Sequence, residues 1–275
     1  MSARQSLTLP PTFAAWFRRR GWQPHAHQLA MLRAAAERRH ALLVAPTGGG
    51  KTLAGFLPSL IALAARPAKG LHTLYASPLK ALAADIARNL ETPIAEMRLG
   101  IRCETRTGDT SPARRARQRH APPHILLTTP ESLSLLLSFP EAPRMFATLE
   151  TVVVDELHAL APTKRGDLLA LALSRLAALA PGHRRAGLSA TVPDEDGHRR
   201  WLAPGADAAS VALVRGAPGP EPEIAILDPE ARLPWSGHMA LHALPDVYRA
   251  IRAHKTTLVF VNTRAQAELV FQGLW

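Results

Sequence analysis

Ala45-Pro46-Thr47-Gly48-Gly49-Gly50-Lys51-Thr52 joins an apolar run of strand length, Ala41–Ala45, to a segment of helix length, Lys51–Ala65. Three consecutive glycines let backbone N–H groups turn toward an anion, and the following helix presents its positive end to the same point. Lys51 is spaced to reach the β- and γ-phosphates of a nucleotide, and Thr52 to hold Mg²⁺ through its hydroxyl. Thr47 belongs to the same loop. The usual pattern begins with Gly, and Ala45 stands there instead. A glycine-rich turn without a ligand is the bland alternative, which the strand and helix on either side argue against. Pro58 lies inside the helical segment and is expected to kink it.

Outward from this loop, apolar runs at Leu71–Ala76, Ile101–Arg106, His124–Thr128, Thr151–Val154 and Ala186–Ser189 alternate with helix-length segments. The helices are expected at Leu79–Leu90, Pro112–Arg119, Glu131–Leu137 and Asp167–Ala180, with Pro112 and Asp167 as suitable starts. This alternation predicts an α/β fold with a mostly parallel, doubly wound sheet. A nucleoside triphosphatase needs a second acidic element at a neighbouring strand end, and Val152-Val-Val-Asp155-Glu156-Leu157-His158 supplies it. Asp155 would fix Mg²⁺, and Glu156 would orient and deprotonate the attacking water.

After Thr191 the texture changes. Seven of the 24 prolines fall between Pro193 and Pro234, together with Gly197, Gly205, Gly216 and Gly219, which reads as a junction with short strands rather than a continued sheet. A second α/β stretch is expected beyond it: a helix near His238–His254, a strand at Thr257–Val261 and a helix at Thr263–Leu274. The organisation is therefore an N-terminal segment over 1–30, a first nucleotide-binding domain over 31–215, and a linker with the incomplete start of a second domain over 216–275.

A chain of 275 residues can bury roughly 70–75% of its unfolded surface without disulfides or metal. Lysine and arginine number 33 against 22 acidic residues, a surplus of +11 that suits a polyanion such as nucleic acid. Only five of the 33 are lysines in an Ala-rich chain, so codon bias would explain the surplus equally well and motifs must decide. The longest uncharged apolar stretch, Leu53–Ala65, is shorter than the roughly 20 residues that span a bilayer, and no membrane span is expected. Leu7–Phe17 runs into Arg18-Arg19-Arg20 and does not read as a leader. The single cysteine, Cys103, fits a reducing compartment. The remaining histidines show no metal-ligand spacing.

Asp155-Glu-Leu-His158 reads as a DExH box, and a phosphate loop with Ala first is the form seen in superfamily 2 helicases, which the chain resembles. Pro24-His-Ala-His-Gln28 resembles the Q motif, whose glutamine reads the adenine edge, with Phe13, Trp16 and Phe17 as candidates for its aromatic partner. Ser77-Pro78-Leu-Lys80, Thr107-Gly108-Asp109-Thr110 and Thr128-Thr129-Pro130-Glu131 resemble the three strand-contacting motifs of a first RecA-like domain. Ser189-Ala-Thr191 resembles the motif that, with His158, couples hydrolysis to domain movement. Leu258-Val-Phe-Val-Asn262-Thr263-Arg264 resembles the first motif of a second RecA-like domain. Gly21-Trp-Gln-Pro24, Thr107-Gly-Asp-Thr110, Leu233-Pro-Trp-Ser-Gly-His238 and Val261-Asn-Thr-Arg264-Ala-Gln-Ala-Glu268 are similar to the Lhr-type (large helicase-related) DNA helicases, and within them to the ligase-associated branch.

The resemblance implies a monomeric, cytoplasmic, nucleoid-associated motor that uses ATP and Mg²⁺ to move 3′-to-5′ on single-stranded or tailed duplex DNA. It also implies work in DNA repair with partners such as a DNA ligase. The family's Gln-x-x-Gly-Arg-x-x-Arg element, which supplies an arginine finger, does not occur in these residues, so the chain is expected to be an N-terminal fragment. A module that binds ATP and nucleic acid without unwinding, and a DEAD-type RNA helicase, are the alternatives. Arg114, Arg115, Arg117 and Arg119 would either contact phosphates or form a solvated helix face.

Overall fold

The computed structural model describes residues 8–205, 207–219, 221–227 and 241–275. The chain falls into two compact units, Met1–Gly219 and Pro220–Trp275. In the first, the elements run α1 (Pro11–Arg19), α2 (Ala26–Ala36), β1 (Ala41–Val44), α3 (Lys51–Ala65), β2 (Thr73–Ala76), α4 (Lys80–Glu96), β3 (Cys103–Arg106), α5 (Pro112–His120), β4 (Ile125–Thr128) and α6 (Pro130–Leu137). They continue with α7 (Ala142–Phe146), β5 (Thr151–Val154), α8 (Leu157–Leu160), α9 (Lys164–Leu179), β6 (Arg184–Ser189), α10 (Glu195–Leu202) and β7 (Ala212–Arg215). Among the described residues, seven strands form one sheet in the order β3-β4-β2-β5-β6-β1-β7, with every pairing parallel.

Strand periodicity divides the core into two layers. Leu43, Tyr75, Leu127, Val153 and Leu188 face a cluster with Phe13, Trp16, Met31, Phe56, Leu57 and Leu60 from α1, α2 and α3. Their neighbours Leu42, Leu74, Leu126, Val152 and Val154 face the opposite cluster, with Leu133, Phe146, Leu169, Leu173 and Leu176 from α6, α7 and α9. Burial on both faces is why these strands read as unbroken apolar runs rather than alternating ones. Gly55 lets α3 lie close on the sheet: a Cβ there would approach Leu188 Cδ1 to 2.9 Å.

Several expectations need correction. The sheet continues into the Pro/Gly-rich junction, because Ala212–Arg215 within it pairs with β1 as an edge strand. The helix expected to start at Asp167 begins at Lys164, capped by Thr163, whose hydroxyl accepts from Gly166 N. In the second unit, α11 (Leu244–Ala253) and α12 (Arg264–Leu274) form, whereas Thr257–Val261 forms no strand. A strand exists only through hydrogen bonds to a neighbour, and Leu258 and Phe260 are instead 77% and 88% exposed. The Leu233–His238 stretch lies outside the described residues. No described helix is long and apolar enough to cross a membrane.

Candidate nucleotide and nucleic-acid site

All the first-unit motifs except Gln28, which heads the first turns of α2, follow the carboxyl end of a strand, and the strand order sorts them. β5, β6 and β1 are neighbours and carry Asp155–His158, Ser189–Thr191 and Ala45–Thr52. β3, β4 and β2 are neighbours on the other side and carry Thr107–Thr110, Thr129–Glu131 and Ser77–Lys80. In open α/β sheets the carboxyl ends of the strands form the crevice where ligands bind.

The loop from Ala45 to Gly50 is shaped by left-handed glycines at Gly48 (φ +79°) and Gly50 (φ +74°). At Gly50 the positive φ demands glycine, and a Cβ there would also lie 2.9 Å from Gln28 Nε2 and displace that amide. Lys51 Nζ donates to the carbonyls of Ala45 (2.9 Å) and Pro46 (3.1 Å), which sets its ammonium within the loop. Ala45 is buried and its N–H donates to Ser189 O across the sheet. A Cβ built on Gly216, just beyond β7, would come within 2.5 Å of the Ala45 methyl. Gln28 is buried; its Oε1 accepts from His25 N (3.0 Å) and its Nε2 donates to Gly50 O (3.4 Å). The Q-motif glutamine therefore touches the phosphate loop directly.

A cavity of about 940 Å³ opens beside this loop, lined by Trp22, His25, Gln28, Gly50 and Thr52 on one side and Asn89 and Pro93 of α4 on the other. Phe13, Trp16 and Phe17 are core residues, and Trp16 and Phe17 also line the cavity. The exposed ring on the cavity wall is Trp22, 50% exposed. It packs edge-on against Trp16 at 5.6 Å, with the Arg20 guanidinium 5.5 Å from its centre. The Gly21-Trp22-Gln-Pro24 sequence was the available signal for it.

Asp155 is 7% exposed and fixed at both oxygens. Oδ1 accepts from Glu156 N (2.9 Å) and Oδ2 from the hydroxyl of fully buried Tyr75 (2.7 Å). Burial and the adjacent carboxylate push the Tyr75 phenol far above its ordinary pKa, so it remains a donor. Glu156 occupies the left-handed region at φ +49° and ψ +45°, a strain of about 1 kcal/mol that gathers at functional sites. Ser189 Oγ donates its single hydrogen to Thr191 O (2.8 Å). The 2.9 Å contact from His158 Nδ1 to Ser189 Oγ must therefore have the imidazole as donor, which fixes the proton on Nδ1. Glu156 Oε2 lies 3.5 Å from the same nitrogen. Gly, Lys, Thr and a held Asp carboxylate are the donor set that a nucleotide with Mg²⁺ requires.

Tyr75 spans the boundary between the two halves of the sheet, since β2 and β5 pair there. Tyr75→Phe is expected to raise the Mg²⁺ concentration for half-maximal nucleotide binding roughly tenfold, as one charge-assisted bond is lost, while Mg²⁺-free binding stays constant. Titrating Mg²⁺ against a fluorescent ATP analogue reads this; an unchanged midpoint would leave Tyr75 a packing residue only.

On the other half, Lys80 and Asp109 are exposed and paired with each other at 2.9 Å. Gly108 is exposed. Ser77 is buried with its hydroxyl donating to Leu79 O, and Thr129 and Pro130 are buried too, so these three side chains shape the loops rather than project from them. The arginines of α5 are engaged by protein groups. Arg114 and Arg117 pair with Glu104, Arg119 pairs with Glu141, and Arg115 donates to Thr107 O and Gly108 O. Asn262, Thr263 and Arg264 belong to the second unit, where the Thr263 hydroxyl caps α12.

The family model for DEAD/DEAH box helicases matches residues 25–198. The chain belongs to the DEAD/DEAH box helicase family. Within it, the chain is 37% identical over 295 aligned positions to the ATP-dependent helicase Lhr-Core of Methanothermobacter thermautotrophicus, covering 97% of this chain and 33% of that protein. It is 36% identical to the Lhr helicase/uracil glycosylase of Escherichia coli, covering 96% of this chain and 19% of that protein. The structure of Mycobacterium smegmatis helicase Lhr bound to single-stranded DNA and AMP-PNP is similar, with a TM-score of 0.82 and 35% identity, over 96% of this chain and 35% of that one. The chain thus spans a third or less of the length of these curated relatives.

Proposed function

We propose that this chain is the nucleotide-binding and strand-contacting part of an ATP-driven DNA motor of the Lhr type, its second unit the start of a second motor domain. The observation that carries this reading is the sorting of motifs along one sheet edge, nucleotide set on β5-β6-β1 and strand-contacting set on β3-β4-β2. The similarity to a helicase whose structure contains single-stranded DNA and AMP-PNP supports it. The finer features are 3′-to-5′ movement, a place in DNA repair, the ligase-associated branch, and action as a cytoplasmic, nucleoid-associated monomer with a DNA ligase among its partners. These rest on the motif resemblance.

The loop N–H groups and Lys51 take the phosphates, while Trp22 and Gln28 border the cavity on the base side. Thr52 and Asp155 would hold Mg²⁺, which supplies charge neutralisation at the transferred phosphoryl group. Glu156 orients and deprotonates water. His158, bonded to Ser189, and Ser189, bonded to Thr191 O, tie that carboxylate to the end of β6.

Single-stranded DNA binding is expected to weaken steeply with salt and to show little sequence preference, because counterion release from backbone contacts dominates it. Fluorescence anisotropy across a salt series checks this. A flat salt response, or a strong preference for RNA of the same sequence, would favour a different class of protein.

A further inference from the structure

Thr163-Lys-Arg165-Gly166 follows the DExH box and belongs to none of the motifs above. Gly166 is forced by space: a Cβ there would lie 2.1 Å from Leu160 O, so only glycine lets α9 begin against the end of α8. The Thr163 hydroxyl donates to Leu160 O at 2.8 Å and accepts from Gly166 N. The first turn of α9 is therefore locked to the short helix that carries His158. From that turn Arg165 reaches across to two other loops. Its Nε and Nη2 fork onto the two oxygens of Glu131, the latter at 2.9 Å, and its Nη1 donates to Pro78 O. A planar guanidinium can make both contacts at once; a lysine ammonium is a single point. Glu131 opens α6, which packs along α9, and Pro78 lies in the loop after β2. The Arg165 guanidinium holds the Glu131 carboxyl at about 2, well below the usual carboxylate range.

We propose that Arg165 is a positioning residue that holds the strand-contacting loops after β2 and β4 in one register with each other and with the His158-bearing helix. It rests on the DNA-motor reading for what those loops touch. The rival role is direct: Arg165, a cation near the strand-contacting loops, could itself meet a phosphate. The two roles give opposite signs for one substitution. If Arg165 positions, Glu131→Gln loosens the brace and weakens single-stranded DNA binding. If Arg165 contacts phosphate, Glu131→Gln releases it from its competitor and strengthens binding.

The test measures anisotropy of fluorescent dT oligonucleotides with the 275-residue chain and its Arg165→Ala, Arg165→Lys, Glu131→Gln and Arg165→Ala/Glu131→Gln variants, across a salt series. Arg165→Ala is expected to weaken binding about tenfold with the salt slope unchanged, Glu131→Gln about threefold, and Arg165→Lys to recover little. The double variant should match Arg165→Ala alone, since both remove one linkage. Retained binding of a fluorescent ATP analogue establishes that each variant is folded. Tighter binding by Glu131→Gln, additive losses, or a shallower salt slope in Arg165→Ala would each overturn the proposal. If the unsubstituted chain binds no single-stranded DNA, the DNA-motor reading fails and this inference goes with it; if it binds and the variants match it, only the Arg165 role fails.

Discussion

Lys51→Ala is expected to abolish tight nucleotide binding, and Glu156→Gln to leave binding intact while turnover collapses. The contrast follows from what each side chain holds. Lys51 sits within the phosphate loop, its ammonium oriented by Ala45 O and Pro46 O, so alanine removes a fixed cation together with the bonds that brace the loop. A charge-assisted hydrogen bond is worth about 1.5–3 kcal/mol, and on that scale Kd for ATP rises on the order of a hundredfold. Glu156 differs. Its backbone N–H holds Asp155 Oδ1, which glutamine preserves, and the amide keeps the shape of the side chain. What is lost is the base, an effect of roughly 10²–10⁴ in rate. Titration with a fluorescent ATP analogue beside a steady-state phosphate-release assay separates the two; equal loss of binding in both variants would refute the assignment of roles.

A polypeptide of these 275 residues is expected to bind ATP, to hydrolyse it slowly with little stimulation by DNA, and to leave duplexes intact. The phosphate loop and the residues proposed to hold Mg²⁺ and to act as base all belong to the first unit. The arginine that stabilises charge on the transferred phosphoryl group belongs, by the motif resemblance, to an element absent from this sequence, and an arginine finger is worth about 10³–10⁵ in rate. A version carrying a complete second motor domain should gain that factor and separate a duplex with a 3′ single-stranded tail. Strand separation by the 275 residues alone, with Lys51→Ala as the control for a contaminating helicase, would show that a second motor domain is not needed.

How much of this was legible depended on the kind of signal. The phosphate loop and Asp155-Glu156 are visible because their chemistry fixes residue types at fixed spacing, and the parallel sheet because strands buried on both faces become apolar runs. β7 was hidden: four residues in a Pro- and Gly-rich tract carry no periodicity, and only pairing with β1 makes them a strand. Thr257–Val261 failed in the opposite way, since an apolar run becomes a strand only beside a partner. Phe13, Trp16 and Phe17 are equivalent as text; in the fold all three are core, Trp16 and Phe17 reach the cavity, and Trp22 is the exposed ring on its wall. The Tyr75–Asp155 bond joins residues 80 apart and the Arg165 fork joins residues 34 and 87 apart. Such pairs have no local pattern, because tertiary packing alone brings them together.

The alanine at the head of the phosphate loop, a departure when read as text, has a steric counterpart. Its methyl occupies the volume that a side chain at Gly216 would need, and Gly216 is held there by its N–H bond to Val44 O (2.8 Å). The loop's first residue and the residue after the edge strand therefore share room for one methyl group between them. Glycine at position 45 would remove the 2.5 Å contact, leaving a Cβ at 216 at 3.2 Å from the Cα of residue 45. Two sites 171 residues apart in sequence are thereby coupled through the volume of a single methyl group.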